Sequence, residues 1–210
     1  MILQQGQMEN LRAMVTAVGP TAPRLSIILV NWNGRDHLAA CLPSLYAQTY
    51  QDFEILLVDN GSQDGSIALI ESDFPAVRLF TNAANQGFAA ANNQAIRAAQ
   101  GELIVLLNND TIADPHWLEQ MVHATEQDAQ IGMVAAKMLL ASRPGLIDSA
   151  GITIDRAGLA WGMGGGSLDQ PARPGELVDV FGASGGGGAF RRGGGAPARA
   201  LLSRTFFFFF

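Results

Sequence analysis

Residues 25–34 read LSIILVNWNG, and the informative feature is where the apolar run stops. Leu25 to Val30 is apolar apart from Ser26, and Asn31-Trp32-Asn33 follows before Gly34. A continuous run rich in Leu, Ile and Val, without polar alternation, fits a strand buried on both faces. The same construction returns at residues 54–62, EILLVDNGS, and at residues 103–110, LIVLLNND, with a shorter apolar run from Val77 to Phe80. Segments of helical spacing lie between these strands. Residues 36–48 carry Leu38, Cys41, Leu42 and Leu45, with Pro43 expected to distort that helix or lie in its first turn. A second helix, capped by Ser62 or Asp64, is predicted to run through Ser72, a third over Gly87 to Ala99, and a fourth from Asp114-Pro115 to about Asp128. Four strand–helix units predict an α/β fold, a mainly parallel sheet with right-handed crossovers and helices on both faces. Beyond Ile131 the pattern breaks into short apolar pieces separated by Gly and Pro, where mixed or antiparallel strands are expected.

Composition bounds the function. The chain has 210 residues, 48% hydrophobic and 15% charged, with net charge -6. That size suits one domain of ordinary dimensions. No apolar stretch is long enough to span a bilayer, and Met1 to Arg24, read as a loose leader, has neither the basic start nor the apolar middle of a secretory signal. A cytoplasmic location is the expectation. One cysteine, Cys41, excludes an internal disulfide framework and a zinc site of the usual cysteine type, and it reads as a small core residue. His37, His116 and His123 lack zinc-ligand spacing. Four of the 13 basic residues fall after residue 180, leaving 9 Lys and Arg against 19 Asp and Glu before it. So acidic a body argues against a nucleic-acid binder, which must neutralise phosphates.

In an open α/β sheet, ligands sit beyond the carboxyl ends of the strands. Three polar clusters are predicted to share that edge here: Asn31-Trp32-Asn33, Asp59-Asn60-Gly61-Ser62 and Asn108-Asn109-Asp110. Asn82 and Asn85-Gln86-Gly87 join them from the loop after the third strand. Amides and short carboxylates suit ribose hydroxyls, base edges and a hard cation. With almost no Lys or Arg present, a diphosphate would need a divalent ion, Mg²⁺ or Mn²⁺, and Asp110 is its natural ligand. Plain alternatives remain at several positions: Asp110 closing the turn before a helix, Asp59 as a turn residue, Asn85 and Gly87 as capping and turn residues, and Trp32 as packing beside the cleft. The glycines from Gly162 to Gly166 lack the following Lys-Ser or Lys-Thr of a phosphate loop, and no G-x-G-x-x-G follows the first strand. A sugar nucleotidyltransferase would want a Gly-rich basic loop where Asn31 to Gly34 stand.

These motifs, in order, resemble the family 2 glycosyltransferases of GT-A fold, bacterial rhamnosyltransferase-type members above all. The residues carrying the resemblance are the run from Leu25 to Asn33, then Leu57-Val58-Asp59-Asn60-Gly61-Ser62-Gln63-Asp64-Gly65-Ser66. Asn85-Gln86-Gly87-Phe88-Ala89-Ala90-Ala91-Asn92-Asn93 and Leu106-Leu107-Asn108-Asn109-Asp110-Thr111 complete them. The resemblance covers about Leu25 to Ser184. It implies that a nucleotide diphosphate sugar, UDP- or dTDP-linked, is the donor, with Asp59 on its base or ribose, Asn31, Trp32 and Asn33 as the facing wall, and Asn85 and Gly87 along the nucleotide. Asn108 and Asp110 stand at the two informative positions of the family's Asp-x-Asp metal motif, the first carboxylate replaced by an amide. The acceptor implied is a saccharide or lipid-linked saccharide of the cell envelope, and the sugar is transferred with inversion. An acceptor of that kind would place the protein peripherally at the inner face of the membrane.

The resemblance also implies a catalytic base in an acidic, aromatic motif after a segment like Phe181-Gly182-Ala183-Ser184-Gly185. No Asp or Glu follows Asp179 in this sequence, so that base has no candidate. The last thirty residues instead hold 8 of the 24 Gly and 7 of the 11 Phe. The expected organisation is therefore a leader (1–24), a donor-binding domain (25–184) and an anomalous tail (185–210). Residues beyond about Gly188 are expected to arise from truncation or a shifted reading frame, and twelve Arg against one Lys fits GC-rich coding DNA. The alternative function is a nucleotide-sugar-binding remnant without turnover.

Overall fold

Leu25–Asn31 forms β1, and its register with β2 (Phe53–Asp59) and β4 (Leu103–Asn108) is parallel on both sides, so β1 is a central strand. That placement explains the unbroken apolar run, because a strand flanked by neighbours and covered on both faces has no solvent side. The computed structural model describes residues 22–170 and 178–192. The remainder of the expected leader and tail lies outside them.

The sheet has six strands in the order β3-β2-β1-β4-β10-β5, where β3 is Arg78–Thr81, β5 Met133–Ala135 and β10 Gly187–Arg191. β3 is parallel to β2, while β10 runs antiparallel to both β4 and β5. Among the described residues four helices connect and cover the sheet: α1 (Arg35–Tyr46), α2 (Ser66–Asp73), α3 (Phe88–Ala98) and α4 (Trp117–Glu126). Side chains alternate along β1 between two cores. Leu25, Ile27 and Leu29 pack with Leu38, Cys41, Leu42 and Leu45 of α1, Ile70 of α2, and Leu118 and Met121 of α4. Ile28 faces the other way, onto Ala91, Ala95 and Ile96 of α3. Burying each such Leu or Ile contributes about 1.5–3 kcal/mol. Helices on both faces of a mainly parallel sheet are as the sequence leads one to expect.

Local boundaries differ in instructive ways. α2 starts at Ser66, not at Ser62 or Asp64, and the Asp64 carboxylate accepts from the Ser66 N–H at 3.0 Å and its hydroxyl at 2.6 Å. α4 starts at Trp117, because Asp114 spends its side chain on the turn ahead of the helix, accepting from the His116 N–H at 2.9 Å. Pro43 lies inside α1 near its end, not in its first turn, where it removes one N–H donor and its ring crowds the carbonyl four residues back. Beyond Ile131 the pairing is antiparallel, as expected, with β6 (Met138–Leu140) against β7 (Arg143–Ser149) and β8 (Ile152–Ile154) against β9 (Ala160–Gly162). Among the described residues no helix is long and apolar enough to cross a membrane.

One expectation requires correction. The stretch read as the beginning of an anomalous tail supplies β10, with Ala189 and Phe190 buried, so the sheet continues past residue 184. The rest of the expected tail, after Arg192, lies outside the described residues. Arg191 is held from three sides: it meets Glu102 Oε1 at 2.6 Å and donates to the carbonyls of Thr125 at 2.7 Å and Ile131 at 3.3 Å.

Burial also acts on titrating groups. Desolvation pushes the Cys41 thiol from 9.0 up to about 12 and the Tyr46 phenol from 10.0 up to about 12. The folded chain then holds protons that the unfolded chain releases, so stability is complete below about pH 9 and falls as pH rises toward 12. Urea midpoints measured at about pH 8 and about pH 11 should drop accordingly, and an unchanged midpoint would contradict the burial of both groups.

Candidate active site

The strand order reverses at β1: the chain steps from β1 to β2 and β3 on one side, then crosses to β4 on the other. Such a switch point leaves a crevice beyond the carboxyl ends of the two diverging strands. Asn31 ends β1, Asp59 ends β2 directly opposite it, and Asn108 ends β4. The three polar clusters therefore meet at one edge of the sheet.

Asn31 and Asp59 are both fully buried. Asn31 Nδ2 donates to Asp59 Oδ2 at 2.9 Å and to Ser62 Oγ at 3.1 Å. The other carboxylate oxygen, Asp59 Oδ1, accepts from the backbone N–H groups of Gly61 at 3.1 Å and Ser62 at 2.8 Å. These bonds make the Asp59 carboxylate the organiser of the 59–62 turn. Asn109 continues the chain from the opposite side, its Nδ2 donating to Asn31 Oδ1 at 2.7 Å. Ser62 Oγ accepts from the Asn33 N–H at 2.8 Å, and Asn33 Oδ1 accepts from the Gln63 N–H at 2.8 Å. These bonds hold Asn33 at φ 51, a left-handed conformation that Asn tolerates better than most residues.

Gly34 completes this arrangement. A Cβ there would overlap Asn109 Nδ2 and lie 2.6 Å from Asn31 Oδ1. Gly34→Ala is expected to cost about 1–3 kcal/mol by overpacking and to displace the loop carrying Asp110. Chemical denaturation checks the first effect, and a Gly34→Ala chain as stable as the parent would refute the close approach.

A second amide cluster lies alongside. Asn60, nearly buried, accepts at Oδ1 from Asn82 Nδ2 at 3.0 Å, and its own Nδ2 donates to Asn85 Oδ1 at 3.3 Å. Asn85 Oδ1 also accepts from the Gly87 N–H at 2.8 Å, so both Asn85 and Gly87 shape their loop. Gly87 has φ 83 with open space around it, so the backbone angle requires glycine there, not crowding.

Asp110 differs from Asp59. It is exposed, and among the described residues its carboxylate has no hydrogen bond or ion pair. Asn108 is half-buried, its N–H donating to the Gly186 carbonyl at 3.3 Å and its carbonyl accepting from Thr111 Oγ1 at 2.6 Å. No group of three or more His, Cys, Asp or Glu among the described residues could hold a metal by itself. The donor set therefore fits Mg²⁺ or Mn²⁺ taken by one carboxylate, with phosphate oxygens and waters completing the shell, and does not fit an all-protein cage. Trp32 is 59% exposed at the rim and belongs to no core cluster, so it is open to a ligand. Asn60, Ser62 and Asn109, which the sequence offers only as members of the polar clusters, carry this geometry.

The profile of the family described as Glycosyl transferase family 2 matches residues 26–138. The chain is 34% identical over 157 residues to the O-antigen biosynthesis protein RfbC of Myxococcus xanthus, covering 71% of this chain and 12% of that protein. It is 31% identical over 137 residues to an uncharacterized glycosyltransferase of Nostoc sp., covering 64% of this chain and 40% of the relative. Among solved structures it is similar to a mannosyltransferase from Pyrobaculum calidifontis in complex with GDP-Man and Mn²⁺. The TM-score is 0.57 at 19% identity, covering 89% of this chain and 51% of that one. It is also similar to TarS 1-349 of S. aureus in complex with UDP-GlcNAc, with a TM-score of 0.52 at 21% identity, covering 57% and 36% of the two chains. The chain thus spans about half or less of each of these proteins, and the structural likeness is one of fold.

Proposed function

The chain belongs to glycosyl transferase family 2, and from that premise we propose that it binds a nucleoside-diphosphate sugar at the β1–β4 crevice for transfer to a saccharide or lipid-linked saccharide. The observation that carries this reading is the contrast between its two strand-end carboxylates: Asp59 is buried and hydrogen-bonded on both oxygens, whereas Asp110 is exposed and unpaired. Asp110 would hold the divalent ion, Mg²⁺ or Mn²⁺, that the diphosphate requires. Bound there, the ion supplies charge neutralisation for the departing nucleoside diphosphate. Asn108 lines the same loop without adding charge. Trp32 and the Asn31–Asn33 turn wall the nucleotide on one side, and the amides of the Asn60, Asn82 and Asn85 cluster meet it on the other. Asp59 acts through the turn it holds.

An amide offers a donor beside an acceptor, which complements the N–H flanked by carbonyls of uracil or thymine. The donor we propose is UDP- or dTDP-linked. Calorimetric titration with UDP, dTDP and GDP in the presence of Mn²⁺ tests this, with the pyrimidine nucleotides expected to bind more tightly. A preference for GDP would refute the base assignment, and binding indifferent to EDTA would refute the metal.

Transfer with inversion needs a base to take the acceptor hydroxyl's proton. The second reading is a nucleotide-sugar-binding remnant that binds donor without turnover. Donor hydrolysis and transfer measured alongside binding separate the two. Synthesis of envelope polysaccharide and peripheral contact with the inner membrane face belong to the first reading.

A further inference from the structure

We propose that Asn109 is a positioning residue for Asp110, and that position 109 must present a hydrogen-bond donor. The proposal rests on the reading of Asp110 as the metal ligand. It follows from the direction of the buried chain Asn109–Asn31–Asp59.

An ionised carboxylate only accepts hydrogen bonds. Asp59 Oδ1 is taken by two backbone N–H groups, and Oδ2 receives Asn31 Nδ2. Asn31 therefore has to turn its amide nitrogen toward Asp59, which points its oxygen at Asn109. Only a donor satisfies that oxygen, and Asn109 Nδ2 does so at 2.7 Å. Glycine at position 34 leaves this contact its space, since a Cβ there would collide with both amides. Asn109 is the residue before Asp110. Anchoring it to a fully buried partner fixes the direction in which the neighbouring carboxylate leaves the loop.

The substitution Asn109→Asp separates this role from a merely electrostatic one. A second carboxylate beside Asp110 would by charge alone tighten a divalent cation. It would also place oxygen against Asn31 Oδ1, and flipping Asn31 would only move the conflict to Asp59. The expected result is a loss of about tenfold in Mn²⁺-dependent affinity for UDP, measured by calorimetry on the full chain. The double substitution Asp59→Asn with Asn109→Asp should restore most of it. An amide at position 59 can keep its oxygen on the Gly61 and Ser62 N–H groups and donate to a reversed Asn31, which then donates to the carboxylate at 109.

Urea denaturation of each variant separates lost folding from lost positioning. Affinity unchanged or tightened by Asn109→Asp overturns the proposal, as does a double variant no better than the single one. Asp110→Ala is the control for the underlying reading: if UDP affinity withstands that change, the metal assignment fails, whatever Asn109 does.

Discussion

Asp110→Ala is expected to lower Mn²⁺-dependent turnover of a nucleotide sugar by about 100-fold or more, and to leave stability within about 0.5 kcal/mol of the parent. Both halves follow from the same observation. The carboxylate is exposed and makes no hydrogen bond or ion pair among the described residues, so its removal leaves no polar partner behind. It is also the anion placed at the end of β4, beside the switch point where a diphosphate would lie. With no cluster of further acids among the described residues, there is no second carboxylate to take over the ion. Asp110→Asn, which keeps the shape and removes the charge, should behave like the alanine variant. Steady-state release of sugar from UDP-glucose with and without Mn²⁺ reads the effect, while the weaker binding of UDP reads it even in a chain that turns over slowly. Full activity in the alanine variant would leave Asp110 as a turn residue.

Arg191→Ala is expected to destabilise the fold by about 2–4 kcal/mol, a fall in Tm of about 4–16 °C for a chain of this size. Its guanidinium is largely buried, ion-paired with Glu102 and hydrogen-bonded to two backbone carbonyls in the segment that carries α4 into β5. Removing it leaves the carbonyls of Thr125 and Ile131 without that donor and weakens the hold on β10, which lies between β4 and β5. Since β10 is antiparallel to its neighbours and is added from far along the sequence, few local contacts compensate. Arg191→Lys should recover only part of the loss, because an ammonium cannot serve three partners with the geometry of a planar fork. Differential scanning calorimetry decides the matter. A Tm unchanged by the alanine substitution would mean that β10 does not stabilise the sheet and that the anomalous stretch does begin before it.

The parallel half of the fold was legible because its strands have no solvent face. Ile27, Leu29, Leu57 and Val105 pack on one side while Ile28, Leu56 and Ile104 pack on the other, and no periodicity other than a continuous run satisfies both. The ends of those runs marked the site for the same reason, since a buried strand can turn polar only where it leaves the core. β10 was not legible. Its residues GGAFR begin with two glycines, which local preference assigns to loops. They are close-approach positions: a Cβ on Gly188 would lie 2.7 Å from Ala183 Cβ, and one on Gly187 3.3 Å from Ala136 Cβ. Glycine there reflects crowding by distant segments, information that no local window contains.

The site was legible as a place and less so as a set of roles. Asp59 and Asp110 look alike in sequence, each a carboxylate next to amides after an apolar strand. Their difference is one of hydrogen-bond supply. The turn after β2 directs two backbone N–H groups at Asp59 and the end of β1 adds the Asn31 amide, whereas no such donor among the described residues reaches Asp110. Asn85 and Gly87 likewise turn out to shape their loop, while Asn109, the middle residue of a motif read by its flanks, joins the two strand ends.

The central claim is that a metal–nucleotide complex sits at the β1–β4 edge, and paramagnetic broadening by Mn²⁺ tests it most directly. In a ¹⁵N-labelled chain given UDP and a trace of Mn²⁺, the amides of residues 108–111, 31–34 and 60–62 should broaden first. Those at the opposite end of the sheet, Gln100 to Glu102, should remain sharp. Broadening that is independent of UDP, or centred on the far end of the sheet, would contradict the account.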